Sequence, residues 1–241
     1  MRTIALPSML EILSRNNAYH NKSAKLYELA KIYLPVKGEK LPAEPKMLVL
    51  GAYGADKSFF SMKGELEAVL KGLRLPKASY AAAKDNPSYH PGRCAKVTVN
   101  GVDVGFMGQV HPLVCKNYGI DVDVYCAEVD FSRLSEMVLP EPTYVPLPKY
   151  PTVSRDLSVL CDEALTVAEV EDVMTAAAGK LLRNIRLFDI YRGTGVPEGK
   201  KSVAFSLELR ADDRTLTDTD SEGVVTRVLT ALKEKLNVTL R

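Results

Sequence analysis

An α+β fold built on antiparallel sheets, in two successive parts, is what this sequence predicts. Three observations lead there. Residues 202–210 alternate strictly between apolar and polar, with Val203, Phe205, Leu207 and Leu209 on one side, the mark of a half-buried strand. Strands and helix-start signals mix without the regular alternation of parallel βαβ units. Residues 139–151 carry five prolines in thirteen positions, which neither a helix interior nor a central strand accepts. That stretch reads as a stiff, extended connector. The division it implies is residues 1–139, a linker over 140–147, and residues 148–241.

The first part contains a helix over 8–15 and an apolar run over 24–32 that suits either a strand or a helix. Residues 47–51 form a strand ending in glycine. Residues 61–73 form an amphipathic helix with Leu66, Val69, Leu70 and Leu73 on one stripe. Residues 95–99 and 102–107 pair as a hairpin around Asn100-Gly101, and 125–129 is a further strand. In the second part, 155–161 is a strand with Leu157, Val159 and Cys161 on one side. Thr166 and Glu169 form a capping box that opens a helix running to about Ala178, where Gly179 stops it. A strand follows over 184–192, then a glycine-rich connection over 193–199, then the alternating strand. Thr217 caps a second helix with Asp218, Asp220 and Glu222 in its first turns, where the dipole favours anions. Residues 238–240 are a short last strand.

The order β-α-β-β-α-β is the split-βαβ, or ferredoxin-like, arrangement. Both helices then cover one face of a four-stranded antiparallel sheet, and the other face stays bare. Period-2 alternation assigns Ser202, Ala204, Ser206, Glu208 and Arg210 to the bare face, together with Asp156 and Ser158, and with Thr239 and Arg241. In the strand over 184–192, Leu187, Asp189 and Tyr191 are expected outward, and Phe188 and Ile190 inward. The bare face is thus small and polar with one aromatic, Tyr191. Arg155, Arg192, Lys200, Lys201, Arg210 and Arg241 stand at its rim. A free sheet face with an aromatic and basic residues is the kind of surface on which unpaired RNA bases stack.

Composition excludes more than it identifies. With 46% hydrophobic and 26% charged residues among 241, the chain is neither disordered nor collagen-like. No apolar run approaches the roughly 18 residues a membrane span needs, and the N-terminal apolar core is too short for a secretory signal. The four cysteines contain no C-x-x-C pair and read as reduced thiols of a cytoplasmic protein. A net charge of +2 does not announce a nucleic-acid binder. His90 and His111 each precede a proline and have no partner at ligand spacing, so structural hydrogen bonds are expected of them rather than a metal. Gly193, Gly195 and Gly199 lack the Lys-Ser/Thr ending and the strand-to-helix setting of a phosphate loop.

Several motifs resemble one family. Residues 150–158, 187–193, 199–205 and 214–218, with the terminal Leu240-Arg241, look like the ferredoxin-fold anticodon-binding domain that ends the β subunit of bacterial phenylalanyl-tRNA synthetase. The first part resembles the module preceding that domain. Arg2-Thr3, Leu6-Pro7 and Met9-Leu10 match its R-T-S-L-L-P-G-L-L stretch, with Ile4-Ala5 in place of Ser-Leu. Phe59-Phe60, Lys63-Gly64 and Glu67 match its F-F-x-x-K-G-x-x-E segment. His90-Pro91-Gly92-Arg93 and Gly108 with His111-Pro112 match its H-P-G-R and G-x-x-H-P.

The resemblance implies a catalytic-like class II synthetase module that has lost the ATP and amino-acid chemistry, so no catalytic residue, cofactor or metal is expected here. It also implies that the sequence is a C-terminal piece starting inside the catalytic-like sheet, without the N-terminal RNA-binding, DNA-binding-like and editing modules. The partners implied are an α subunit in an (αβ)₂ tetramer and phenylalanine tRNA. The α subunit would bind ATP and Mg²⁺ and attach phenylalanine.

By the same resemblance Tyr191, Ser202, Ser158 and Arg241 are the candidate tRNA-binding residues. Tyr191 would stack a base, where the plain alternative is a ring packed under the glycine loop. The two serines would hydrogen-bond a base edge, and Arg241 would stack on a base or pair with phosphate. Competing readings of the fold are a regulatory small-molecule domain and an acylphosphatase-type enzyme. The acidic 161–165 turn argues against the second.

Overall fold

Pro7 stands in the first turn of helix α1 (Leu6–Ala18), where its missing N–H has no intrahelical partner to lose. Leu6, Met9, Leu10 and Leu13 form the buried stripe of that helix. The computed structural model describes all 241 residues. They divide into two units, Met1–Pro142 and Thr143–Arg241.

The first unit continues with β1 (Ala24–Lys31), β2 (Lys46–Tyr53), α2 (Phe59–Gly72), β3 (Ala78–Ala82), β4 (Tyr89–Val99), β5 (Val102–Val110), α3 (Pro112–Asn117), β6 (Val124–Asp130) and α4 (Phe131–Ser135). The six strands form one antiparallel sheet in the order β1-β2-β6-β5-β4-β3. Alternation splits β2 between two cores. Val49 and Tyr53 pack with the α1 stripe on one face. Leu48 and Leu50 pack with Met62, Leu66 and Leu70 of α2 and with Leu134 of α4 on the other. The β4–β5 hairpin turns at Asn100 and Gly101, with φ of 50° and 77°. A two-residue turn needs this left-handed pair to match the strand twist.

The second unit holds β7 (Val153–Asp162), α5 (Val167–Ala178), a 3₁₀ turn at Gly179–Leu181, β8 (Leu182–Tyr191), β9 (Lys200–Leu209), α6 (Asp218–Leu236) and β10 (Thr239–Leu240). Its antiparallel sheet runs β10-β7-β9-β8. The capping box at Thr166 and the cap at Thr217 form as the sequence predicts, and the second also closes as a box through Asp220. The Thr166 amide donates to the Glu169 carboxylate at 2.8 Å and the Thr217 amide to Asp220 at 3.0 Å. The core is a single layer. Val170, Met174, Val224, Val228 and Leu232 of the two helices pack on Leu157, Val159, Val203, Phe205 and Leu207 of the sheet. Neither helix covers the opposite face.

Strand β8 departs from the expected pattern. Leu187 pairs with Phe205, but the next partner, Ala204, faces Asp189. Phe188 is the extra residue of a bulge, and a bulge shifts the alternation by one. Leu187 therefore packs on the core beside Ile185 and Ile190, whereas Phe188 is 52% exposed. The expected inward Phe188 and outward Leu187 exchange places. Asp189 and Tyr191, opposite Ala204 and Ser202, lie on the bare face as expected.

Candidate nucleic-acid interface

Three strands and the chain end bring the four candidate residues together on the bare face. Ser202, in the central strand β9, stands opposite Tyr191 on β8 and Leu160 on β7. The hydroxyls of Ser158 and Ser202 lie 3.1 Å apart. Arg241 is tied down by its backbone amide, which donates to the Ser158 carbonyl at 2.9 Å. Its guanidinium reaches the Ser202 hydroxyl at 3.4 Å and sits over the Tyr191 ring, 4.9 Å from the centroid. A cation over an aromatic face is attracted by the ring quadrupole, by roughly 0.5–1 kcal/mol at an exposed site.

The glycine loop explains how Tyr191 is held. Its hydroxyl donates to the Thr194 carbonyl at 3.4 Å. A Cβ on Gly193 would come within 2.7 Å of the same hydroxyl, so any larger residue there would push the ring from this position. Tyr191 is 38% exposed. Ser202 is only 3% exposed, a consequence of its central strand and of Arg241 lying across it. Together these groups provide a π surface, two rotatable hydroxyls and a cation, which are complementary to a base and its phosphate.

The basic rim is mostly neutralised. Arg155 points to the helix side and pairs with Asp218 at 2.7 Å. Arg192 makes a forked pair with Glu163 at 2.7–3.1 Å. Lys200 pairs with Asp162, and Lys201 is buried and donates to the Glu163 carbonyl. Arg210 lies 3.8 Å from Asp212. Of the residues expected at the rim, Arg241 alone presents its charge to the face. Sequence reasoning missed two residues of β8 there. Arg186 stands opposite Ser206 on the bare face, and Phe188 is exposed at the bulge. A lone phenylalanine inside an alternating stretch reads as core, because a bulge leaves no mark in composition.

The first unit has no comparable constellation. His90 accepts from the Gly92 amide at 3.0 Å, and His111 caps α3 by accepting from the Leu113 amide at 3.2 Å. All four cysteines are buried and unpaired. Burial pushes the Cys94 thiol up to about 11 and raises the other three, so none is a thiolate nucleophile at neutral pH. No three His, Cys, Asp or Glu side chains come together in a way that could hold a metal ion. Strand β1 is an edge of the six-stranded sheet. It borders an apolar groove of about 870 Å³ lined by Leu26, Leu48, Leu50 and Val69, where Tyr27 is 75% and Leu29 55% exposed. No helix of the chain is long and apolar enough to cross a membrane.

Two family models match. Residues 1–131 match the phenylalanyl tRNA synthetase beta chain CLM domain, and residues 148–241 the ferredoxin-fold anticodon binding domain. The chain is 41% identical to the phenylalanine–tRNA ligase beta subunit of Clostridium acetobutylicum, over all of this chain and 30% of that protein. It is 39% identical to that of Symbiobacterium thermophilum, over 97% of this chain and 27% of the relative. With the Bacillus licheniformis subunit the identity is 37%, over all of this chain and 31% of the relative. The chain thus spans about a third of the length of the curated relatives it matches.

Proposed function

This chain belongs to the phenylalanyl-tRNA synthetase beta chain family, and from that premise we propose that its second unit binds the anticodon region of phenylalanine tRNA through the bare face of the four-stranded sheet. What supports the reading is one observation. Tyr191, Arg241, Ser202 and Ser158 form a connected cluster on a face that neither α5 nor α6 covers. Tyr191 stacks an unpaired base, a contact of about 1–3 kcal/mol. Ser202 and Ser158 hydrogen-bond its edge. Arg241 leaves the ring face to cover the base or hold its phosphate.

The first unit serves as a subunit interface in this reading. Its partner is the α subunit, which binds ATP, Mg²⁺ and phenylalanine and carries out the ligation in an (αβ)₂ tetramer in the cytoplasm. The apolar groove beside β1, with Tyr27 and Leu29 exposed along it, is the surface most in need of cover. Co-purification with an α subunit checks this part, with loss of the complex expected for Tyr27→Asp.

The test of the RNA reading is equilibrium binding of the chain to a phenylalanine anticodon stem–loop and to one with a swapped anticodon, at several salt concentrations. The cognate loop should bind more tightly, with an affinity that falls as salt rises. Equal affinity for both loops would contradict anticodon recognition.

A further inference from the structure

The exposed ring at the β8 bulge is not part of the four-residue cluster, yet it shares the same face. Leu187 and Ile190 on either side of it pack on the core, which turns Phe188 and Asp189 away from the helices. Arg186 pairs with Ser206, whose neighbours Phe205 and Leu207 are fully buried in the core, so Arg186 also belongs to the bare face. Its guanidinium makes no ion pair, whereas Arg155, Arg183, Arg192 and Arg210 each face an aspartate or glutamate. One strand therefore carries, in order, an unpaired cation, an exposed arene and the Tyr191 ring. Counted along the regular partner strand β9 at about 3.3 Å per residue, because Phe188 is the extra residue of the bulge, Phe188 stands roughly 5 Å from Arg186 and roughly 8 Å from Tyr191 along the strand, separations that adjacent nucleotides can span.

The geometry points to a second nucleotide subsite on β8, in which Phe188 stacks the base next to the one on Tyr191 and Arg186 holds a phosphate. It rests on the reading that this face takes unpaired RNA nucleotides. Asp189 lies beside Phe188 on the same face, and its charge repels phosphate there, so the backbone of a bound strand runs on the Arg186 side. One feature disfavours a second protein copy as the occupant. β8 is an outer strand of the sheet, and its bulge interrupts the ladder that a strand from another protein copy would extend.

The experiment uses the whole 241-residue chain and an anticodon stem–loop, together with stem–loops in which one loop nucleotide at a time is abasic. Phe188→Leu keeps the apolar bulk and removes the π face, and Phe188→Trp restores it. We expect Phe188→Leu to weaken binding about five- to 150-fold and Phe188→Trp to recover it. The loss should vanish with one particular abasic loop, and that loop should differ from the one that silences Tyr191→Ala. Arg186→Gln should reduce the slope of log affinity against log salt by about 0.7. Full affinity in Phe188→Leu while Tyr191→Ala loses affinity overturns the second subsite and leaves the proposed function standing. Full affinity in both variants overturns the two together. A change in self-association of Phe188→Leu with RNA affinity intact makes the face a protein contact and also overturns the inference.

Discussion

The two sheets differ in how many faces they bury. In the first unit the six-stranded sheet has helices on both sides, so β2 and β6 are buried almost along their length. In the second, α5 and α6 share one face and the other carries Ser158, Ser202, Ser206, Asp189 and Tyr191. Hydrophobic burial accounts for both faces of the central strands of the first sheet and for only one face of the second. A face that folding does not need is free to be shaped by recognition, and there the aromatic, the hydroxyls and the free arginines collect.

The contrast is broken most sharply in the core. Phe205→Ala, at a site with no exposure, should cost about 3–5 kcal/mol, seen as lost hydrogen-exchange protection along β7 and β9. Ser206→Ala, one residue along on the bare face, should change stability by no more than about 0.5 kcal/mol. A large loss there would mean the face is structural after all.

Recognition comes next in size. Tyr191→Ala should lower affinity for a phenylalanine anticodon stem–loop by about 1–3 kcal/mol with an unchanged melting temperature. Gly193→Ala should reproduce part of that loss, since its new Cβ displaces the ring. Thr217→Ala removes the cap of α6 and should cost about 1 kcal/mol of stability, read by thermal unfolding, with RNA affinity retained.

The smallest effect concerns pH and has opposite signs at a buried carboxyl of the first unit and at the helix-capping carboxylates of the second. Burial pushes the Glu128 carboxyl above the ordinary glutamate value, although the amides of Ala5 and Leu6 and the charge of Arg2 pull it back. The folded state then holds this proton more tightly than the unfolded chain. Its contribution is present below the ordinary value of about 4.5 and is lost as pH rises through the raised one. In the second unit, hydrogen bonds from the Thr217 backbone and hydroxyl lower Asp220, and those from the Thr166 hydroxyl and backbone lower Glu169. Their contributions are present at neutral pH and are lost as pH falls through the lowered values. Glu128→Gln should remove the decline of first-unit stability towards neutral pH and leave the acid limb of the second unit as it is, by unfolding at a series of pH values.

What the sequence made legible follows the same division. The caps at Thr166 and Thr217 and the Asn100-Gly101 turn are local chemistry, and they stand where the residues put them. The core side of β9 came from alternation alone. Strand β3 escaped because 78–82 is mostly alanine and carries no period. Helix α4 escaped because five residues are too few to show a stripe, although Asp130 caps it by accepting from the Arg133 amide. The register of β8 was hidden by its bulge, and with it the exposure of Phe188. The charge of the rim was misjudged because pairs such as Arg192 with Glu163, or Arg155 with Asp218, join residues far apart in sequence.

The proposed landing place for unpaired RNA is the uncovered side of β7, β8 and β9. Amide and side-chain NMR shifts of the 241-residue chain, titrated with the phenylalanine anticodon stem–loop, test it directly. Changes confined to Ser158, Tyr191, Ser202, Arg241 and their neighbours on that face are expected. Changes centred on α5 and α6, or on the six-stranded sheet, would contradict it.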